Sequence, residues 1–204
     1  MHSFAKHHQK IQQNYDHLAK SIPHCAQTLG WYSTFSQEQR FHALLSGLDW
    51  HQKTVLDVGC GLADLYPYIQ KEGFSGTYTG LDFSQEMIRS CQSTYPHVRF
   101  ICADLLDDTL HVGADIVVAS GVFAHLPPCV EDYFNTMVAR LMTLASHCVA
   151  FNLLSDLTPQ NEKDASFMYY NPAQVVQWII KQGHYFELKH HYLPNDMTVV
   201  IYKK

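Results

Sequence analysis

The stretch T-V-L-D-V-G-C-G-L-A-D, residues 54–64, decides the fold. Its first half, Thr54 to Val58, is a short apolar run that stops at glycine, as a buried parallel strand does. Gly59 and Gly61 then permit a tight turn and a close approach of backbone to a ligand. Leu62, Leu65, Tyr66 and Ile69 follow at helical spacing up to Gly73. The turn therefore delivers the chain into a helix, whose N-terminus favours an anionic group.

Outward from there the alternation continues. Thr77 to Leu81, Val98 to Ala103, Asp115 to Ala119 and Cys148 to Leu153 read as further strands. Ser84 can cap a helix carrying Met87, Ile88 and Cys91. Pro127-Pro128 precedes a long helix striped by Val130, Tyr133, Phe134, Met137, Val138 and Leu141. Pro172 opens a helix with Val175, Val176, Ile179 and Ile180. Tyr185 to Tyr192 and Thr198 to Tyr202, joined by Pro-Asn-Asp, read as an antiparallel hairpin. The pattern predicts an α/β fold, a Rossmann-like, doubly wound, mostly parallel seven-stranded sheet with an antiparallel C-terminal hairpin. Residues 1–48 read as an N-terminal helical cap and 49–204 as the core, all within a single domain. Ser155 to Tyr170 is long for a connection, the length of a lid or binding loop.

Composition excludes several classes. The chain has 204 residues, 47% hydrophobic and 16% charged, with a net charge of −5. That is enough for a proper core and too apolar for disorder. A mildly acidic chain without a basic stripe argues against nucleic acid as partner. No apolar run approaches a membrane span, and Met1 to Lys20 is too polar for a secretory signal. Six cysteines without a C-x-x-C pair read as reduced thiols of a cytoplasmic protein. Fourteen histidines are the compositional oddity, since protonating all of them would move the charge from −5 to +9. They are scattered and show no metal-ligand spacing, so no metal site is expected.

The chemistry concentrates at the strand ends. Asp82 follows Gly61 by 21 residues and ends the second strand. A carboxylate there can accept from both hydroxyls of a ribose. A dinucleotide fingerprint would place glycine where Asp64 stands, and a carboxylate at that helix terminus repels a pyrophosphate. Asp57, inside the strand, is also foreign to that fingerprint. Both suit a phosphate-free, positively charged nucleoside such as S-adenosylmethionine, which carries an ammonium, a sulfonium and a ribose.

At these residues the chain resembles the class I S-adenosylmethionine-dependent methyltransferases. V-L-D-V-G-C-G (55–61) is similar to their first motif, giving Asp57, Gly59, Cys60 and Gly61 as cofactor contacts. G-L-D-F-S (80–84) resembles the second, which implies Asp82 on the ribose and Phe83 against adenine. C-A-D-L (102–105) resembles the third, with Asp104 accepting from the adenine amino group and Leu105 offering its backbone N–H. A-S-G-V-F-A-H-L (119–126) resembles the segment along the methionine part, which brings in Ser120 and Gly121. Where that family often has glycine, this chain has Ala63, whose methyl narrows the approach and which would be strained at positive φ.

A narrower resemblance joins G-W-Y-S-T-F-S-Q-E-Q-R-F (30–41), Y-Y-N-P (169–172) and Y-L-P-N-D-M-T-V (192–199) to a group of small, uncharacterised bacterial methyltransferases. It implies that Arg40 pairs with the cofactor carboxylate, as a guanidinium fork can. The alternative is a solvated helix arginine. Trp31, Tyr32 and Phe35 either wall the pocket or belong to the core. His125 is the candidate general base, or a helix-entry residue before Pro127. Tyr169, Tyr170 and Asn171 are candidates for the acceptor site, with Asn171-Pro172 equally able to start a helix. His190, His191 and Asp196 are either an acceptor or metal cluster, or turn polarity. The expected reaction is in-line methyl transfer to a small-molecule acceptor. Rival readings are a non-catalytic binding or regulatory protein on the same fold, and a nicotinamide oxidoreductase.

Overall fold

The computed structural model describes residues 3–21 and 33–204. Two helices precede the sheet, α1 (Ala5–Ser21) and α2 (Thr34–Leu45). The start of α2 is fixed by Ser33 and Ser36, whose side chains bond each other's backbone N–H in a reciprocal cap. The parallel strands are β1 (Thr54–Val58), β2 (Thr77–Asp82), β3 (Arg99–Cys102), β4 (Ala114–Ala119) and β5 (Ala145–Leu154). Between them lie α3 (Leu65–Lys71), α4 (Gln85–Thr94) and α5 (Val130–Leu144). The chain ends with α6 (Pro172–Lys181) and the hairpin β6 (Tyr185–Leu193) and β7 (Asp196–Tyr202).

The sheet order is β3-β2-β1-β4-β5-β7-β6. β7 pairs antiparallel with both β5 and β6, so it alone runs against the rest. Order reverses between β1 and β4, which opens a crevice at the carboxyl ends of these strands. Strand parity divides the core. Leu56, Val58, Val117, Ala119, Val149 and Phe151 face one layer with Phe123, Tyr133, Phe134 and Val175. Val55, Ile116, Val118, Cys148, Ala150 and Val200 face the other, with Leu44, Trp50, Ile69 and Ile88. Both faces are covered, which is why these strands read as continuous apolar runs rather than alternating ones.

The fold matches the expectation from sequence, with local differences. The helix after the glycine turn begins at Leu65, because Ala63 holds φ 60 and delays regular helix. Asp196 is already in β7, leaving only Pro194 and Asn195 between the hairpin strands. The segment from Ser155 to Tyr170 holds a short 3-10 turn, Gln160–Glu162. It is pinned by the bonds from Tyr170 N to Leu154 O (2.8 Å) and from Met168 N to Ala124 O (2.8 Å). Among the described residues no helix is long and apolar enough to cross a membrane.

Candidate active site

The glycine turn is built around the end of β2. Gly59 N and Cys60 N both donate to Leu81 O, at 2.7 and 3.0 Å. Gly59 has φ 70, and a Cβ there would stand 2.4 Å from Val122 Cγ1. Only glycine fits. Gly61 N donates to Asp82 Oδ2 at 2.9 Å, and Ser84 N donates to Asp82 Oδ1 at 2.8 Å. Burial pushes the Asp82 carboxyl up to about 6, against the opposing pull of those backbone bonds. Ala63 sits buried at positive φ, a left-handed position costing about 1–2 kcal/mol outside glycine.

Above this turn lies a cavity of about 490 Å³. One end is walled by Gly59, Gly61, Asp82, Phe83, Asp104 and Leu105. Ser120, Gly121, Arg40, His125 and Tyr169 also line it. Gly121 N is held by Asn152 Oδ1 at 2.9 Å, and Asn152 Nδ2 donates to Ser120 Oγ at 3.1 Å. Asn152, buried in β5, thus fixes the segment after β4, a role the sequence reading missed.

The sequence reading made α1 part of an N-terminal helical cap but named none of its contacts. The helix is a wall of the cavity, contributing His8, Ile11, Asn14, Tyr15 and Leu18. Its polar residues bond the strand ends. His8 Nδ1 meets Asp104 Oδ2 at 2.7 Å, Gln12 Nε2 donates to Phe83 O at 2.7 Å, and Ser84 Oγ donates to Asp16 Oδ1 at 2.5 Å. Tyr15 Oη lies 3.1 Å from His125 Nε2. Burial lowers the His125 pKa and raises Tyr15 to about 12, so both are neutral near pH 7.

Several expected contacts are placed elsewhere. Asp57 does not line the cavity; it is buried on the opposite strand face and accepts from Tyr78 Oη at 2.6 Å. Desolvation lifts its carboxyl to about 7. Cys60 is also buried and outside the lining. Arg40 reaches the cavity while its Nε donates to Asp196 Oδ2 at 2.6 Å, both side chains being buried. Of the three acceptor-site residues in the loop, only Tyr169 lines the cavity. Tyr170 is packed in the core with its hydroxyl on Phe123 O, because neighbouring residues in extended chain face opposite ways. Asn171 is exposed and caps α6, accepting from Ala173 N at 2.9 Å.

Trp31 and Tyr32 fall outside the described residues. Phe35 is exposed on α2 and does not line the cavity. His190 bonds Ser155 Oγ at 2.7 Å, while Asp196 is taken up by Arg40 and Tyr192. Among the described residues no three His, Cys, Asp or Glu side chains gather as metal ligands.

Known proteins agree with this geometry. Residues 55–143 match a family model described as a methyltransferase domain. Over 73 residues the chain is 38% identical to the methyltransferase-like protein Rv1506c of Mycobacterium tuberculosis, covering 34% of this chain and 42% of that one. Over 75 residues it is 31% identical to trans-aconitate 2-methyltransferase of Rhodopseudomonas palustris, covering 37% and 29%. The chain thus spans less than half the length of these curated relatives. Among solved structures, DhpI in complex with SAH superposes with a TM-score of 0.72 at 19% identity over 93% of both chains. Magnesium protoporphyrin IX methyltransferase from Synechocystis PCC 6803 gives 0.65 at 14% identity, over 97% of this chain and 95% of that one. The domain match opens in β1, just before the glycine turn, and closes within α5, so it takes in β1 to β4, the strands that build the cavity. Residues 55–143 thus match a methyltransferase domain, and the fold is shared with solved methyltransferases.

Proposed function

We propose that the protein is an enzyme that transfers a methyl group from S-adenosylmethionine to a small-molecule acceptor by in-line displacement. The observation that carries this reading is continuity. One cavity joins the strand-end carboxylates Asp82 and Asp104 to His125 and Tyr169. Its volume lies in the range of small-molecule sites. The turn at Gly59 brings backbone to its wall, and buried Asp82 presents its carboxylate edge there.

The cofactor supplies a methyl group already activated as a sulfonium, so the protein's work is alignment and exclusion of water. Asp82 accepts from the ribose, Phe83 packs on adenine, and Asp104 with the Leu105 backbone addresses the adenine edge. Gly59 and Gly61 leave room for the nucleoside. Ser120 and Gly121, held by Asn152, run along the methionine part, with Arg40 at its carboxylate. Asp57 and Cys60 shape the turn from behind. Tyr169 lies at the acceptor. His125, kept neutral by burial, takes the proton from an acceptor that must lose one. The helices ahead of β1 act as the cap of this one domain, and α1 screens the cavity from water. The reduced state of Cys60, Cys91, Cys102, Cys129 and Cys148 suits the cytoplasm of a bacterial cell.

Calorimetric titration with S-adenosylhomocysteine, on protein checked by mass spectrometry for retained cofactor, tests the reading. Micromolar binding that is lost in Asp82→Ala is expected. No binding to folded, cofactor-free protein overturns it. Binding without turnover on any extract of small metabolites would instead identify a non-catalytic protein on the same fold.

A further inference from the structure

We propose that the acceptor is a small amine that enters the cavity as an ammonium cation, a specificity that rests on the methyl-transfer reading above. The part of the cavity contributed by the long loop carries Glu162, Asp164, Phe167 and Tyr169, and the pair Tyr15 and His125 faces the same space. Two of these are carboxylates and three are aromatic rings. Among the described residues Arg40 is the only lysine or arginine lining the cavity, and it is bonded to buried Asp196 at 2.6 Å. Residues 22–32 contain no lysine or arginine. The loop's own cation, Lys163, does not line the cavity; it bonds Asp156 Oδ1 at 2.5 Å and lies 5.5 Å from the Tyr169 ring centroid on that ring's face.

His125 adds no charge near pH 7, since burial keeps its imidazole neutral. The nucleoside end is acidic too, through Asp82 and Asp104. A concave, mostly apolar wall with carboxylates of one sign concentrates cations. The rings of Tyr15 and Phe167 in the lining then favour an ammonium over an equally sized neutral group. An anionic acceptor would meet Glu162 and Asp164, while the one described lining cation, Arg40, is bonded to Asp196. It is this combination of rings and carboxylates along one cavity that selects the cation.

The same residues give the chemistry its proton balance. The ammonium nitrogen gives up one proton through the Tyr15 hydroxyl, whose own proton passes to His125 Nε2, 3.1 Å away. The lone pair so released forms the N–CH3 bond as the S–CH3 bond breaks, and that bonding pair stays on sulfur.

The test uses the 204-residue chain saturated with S-adenosylhomocysteine and two probes of matched size, phenethylammonium and 3-phenylpropanoate, titrated at pH 7 by NMR. The ammonium probe is expected to bind at least about tenfold more tightly and to shift the His125 and Tyr169 resonances, a gap of about 1.4 kcal/mol. Glu162→Gln should weaken the ammonium probe by about threefold, as loss of one partly screened charge does. Equal or tighter binding of the carboxylate, or binding of neither probe, overturns the proposal. Failure of S-adenosylhomocysteine itself to bind overturns the methyl-transfer reading with it, whereas its binding without a preference between the probes overturns the amine specificity alone.

Discussion

His8 Nδ1 on α1 lies 2.7 Å from Asp104 Oδ2, just past the end of β3, so a helix ahead of the sheet is bonded directly to the nucleoside end of the cavity. The other ring nitrogen, Nε2, is 3.1 Å from Tyr133 Oη on α5. The imidazole is buried and bridges three elements. His8→Ala deletes the imidazole's bonds to the Tyr133 hydroxyl and to Asp104. A loss of about 1–3 kcal/mol is expected, measured by urea unfolding. Hydrogen exchange should quicken in α1 before it quickens in the central strands, because the helix loses a tether and the sheet does not.

Asp57 gives the protein a distinctive pH dependence. Burial lifts its carboxyl to about 7 and that of Asp82 to about 6, while both titrate near 4 in the unfolded chain. The folded state holds these protons more tightly, so the stability they contribute is full below about pH 4 and is lost as pH rises to about 7. Asp57→Asn removes its share. The variant should gain on the order of 2–4 kcal/mol on the wild type between pH 5 and pH 8, read from paired urea curves. The comparison isolates Asp57 from His7, His125 and His184, whose lowered pKa values act in the opposite sense. Asp107, Asp115 and Asp164, held low by hydrogen bonds, act only below pH 4.

Gly59 is irreplaceable for two separable reasons. Its φ of 70 strains any other residue, and its Cβ position is occupied by Val122 Cγ1 at 2.4 Å. Gly59→Ala should cost about 1–2 kcal/mol from the dihedral and a further 1–3 kcal/mol from overpacking. Adding Val122→Ala should recover the second part only. A double variant as stable as the wild type would show that the turn can relax its φ.

Tyr170 and Asn171 separate fold from function in the long loop. Tyr170→Ala empties a fully buried aromatic position and should cost about 3–5 kcal/mol. Asn171→Ala deletes the cap of α6 and should cost about 1 kcal/mol. Neither should change the KM for the acceptor once measured at a temperature where both variants are folded. A raised KM in Asn171→Ala would return it to the acceptor site.

These two residues also mark what a sequence can disclose. Parallel strands buried on both faces leave continuous apolar runs, so β1 to β5 were legible, and Asp82 was legible from its spacing to the glycine turn. Strand parity was available but not applied: Val58 lines the cavity, so Asp57, one residue earlier, must face away from it. The same parity separates Tyr169 from Tyr170. A cap from the N-terminal helices was expected, but the contacts of α1 were not legible. Its bonds to Asp104 and His125 span 96 and 110 residues, and polar side chains of that helix carry no periodic mark of what they will meet. Asn152 was hidden for a like reason, as one polar residue within the apolar half of β5 names no partner.

Arg40 and Asp196 allow binding and stability to be told apart. The pair is buried from both sides, with Tyr192 also bonded to the carboxylate. Burial raises the Asp196 pKa and the Arg40 guanidinium opposes that rise, the signature of a carboxylate that depends on its partner. Asp196→Ala strands a buried guanidinium and should cost about 3–5 kcal/mol. Replacing both charges, Arg40→Met with Asp196→Leu, should recover most of that loss, because an apolar pair of similar volume avoids the desolvation penalty. If Arg40 serves only the fold, the double variant will bind S-adenosylhomocysteine as the wild type does. If it also receives the methionine carboxylate, stability will return while affinity stays at least about tenfold down, the cost of one charge-assisted contact. The second outcome is expected, since Arg40 lines the cavity that the proposed cofactor occupies.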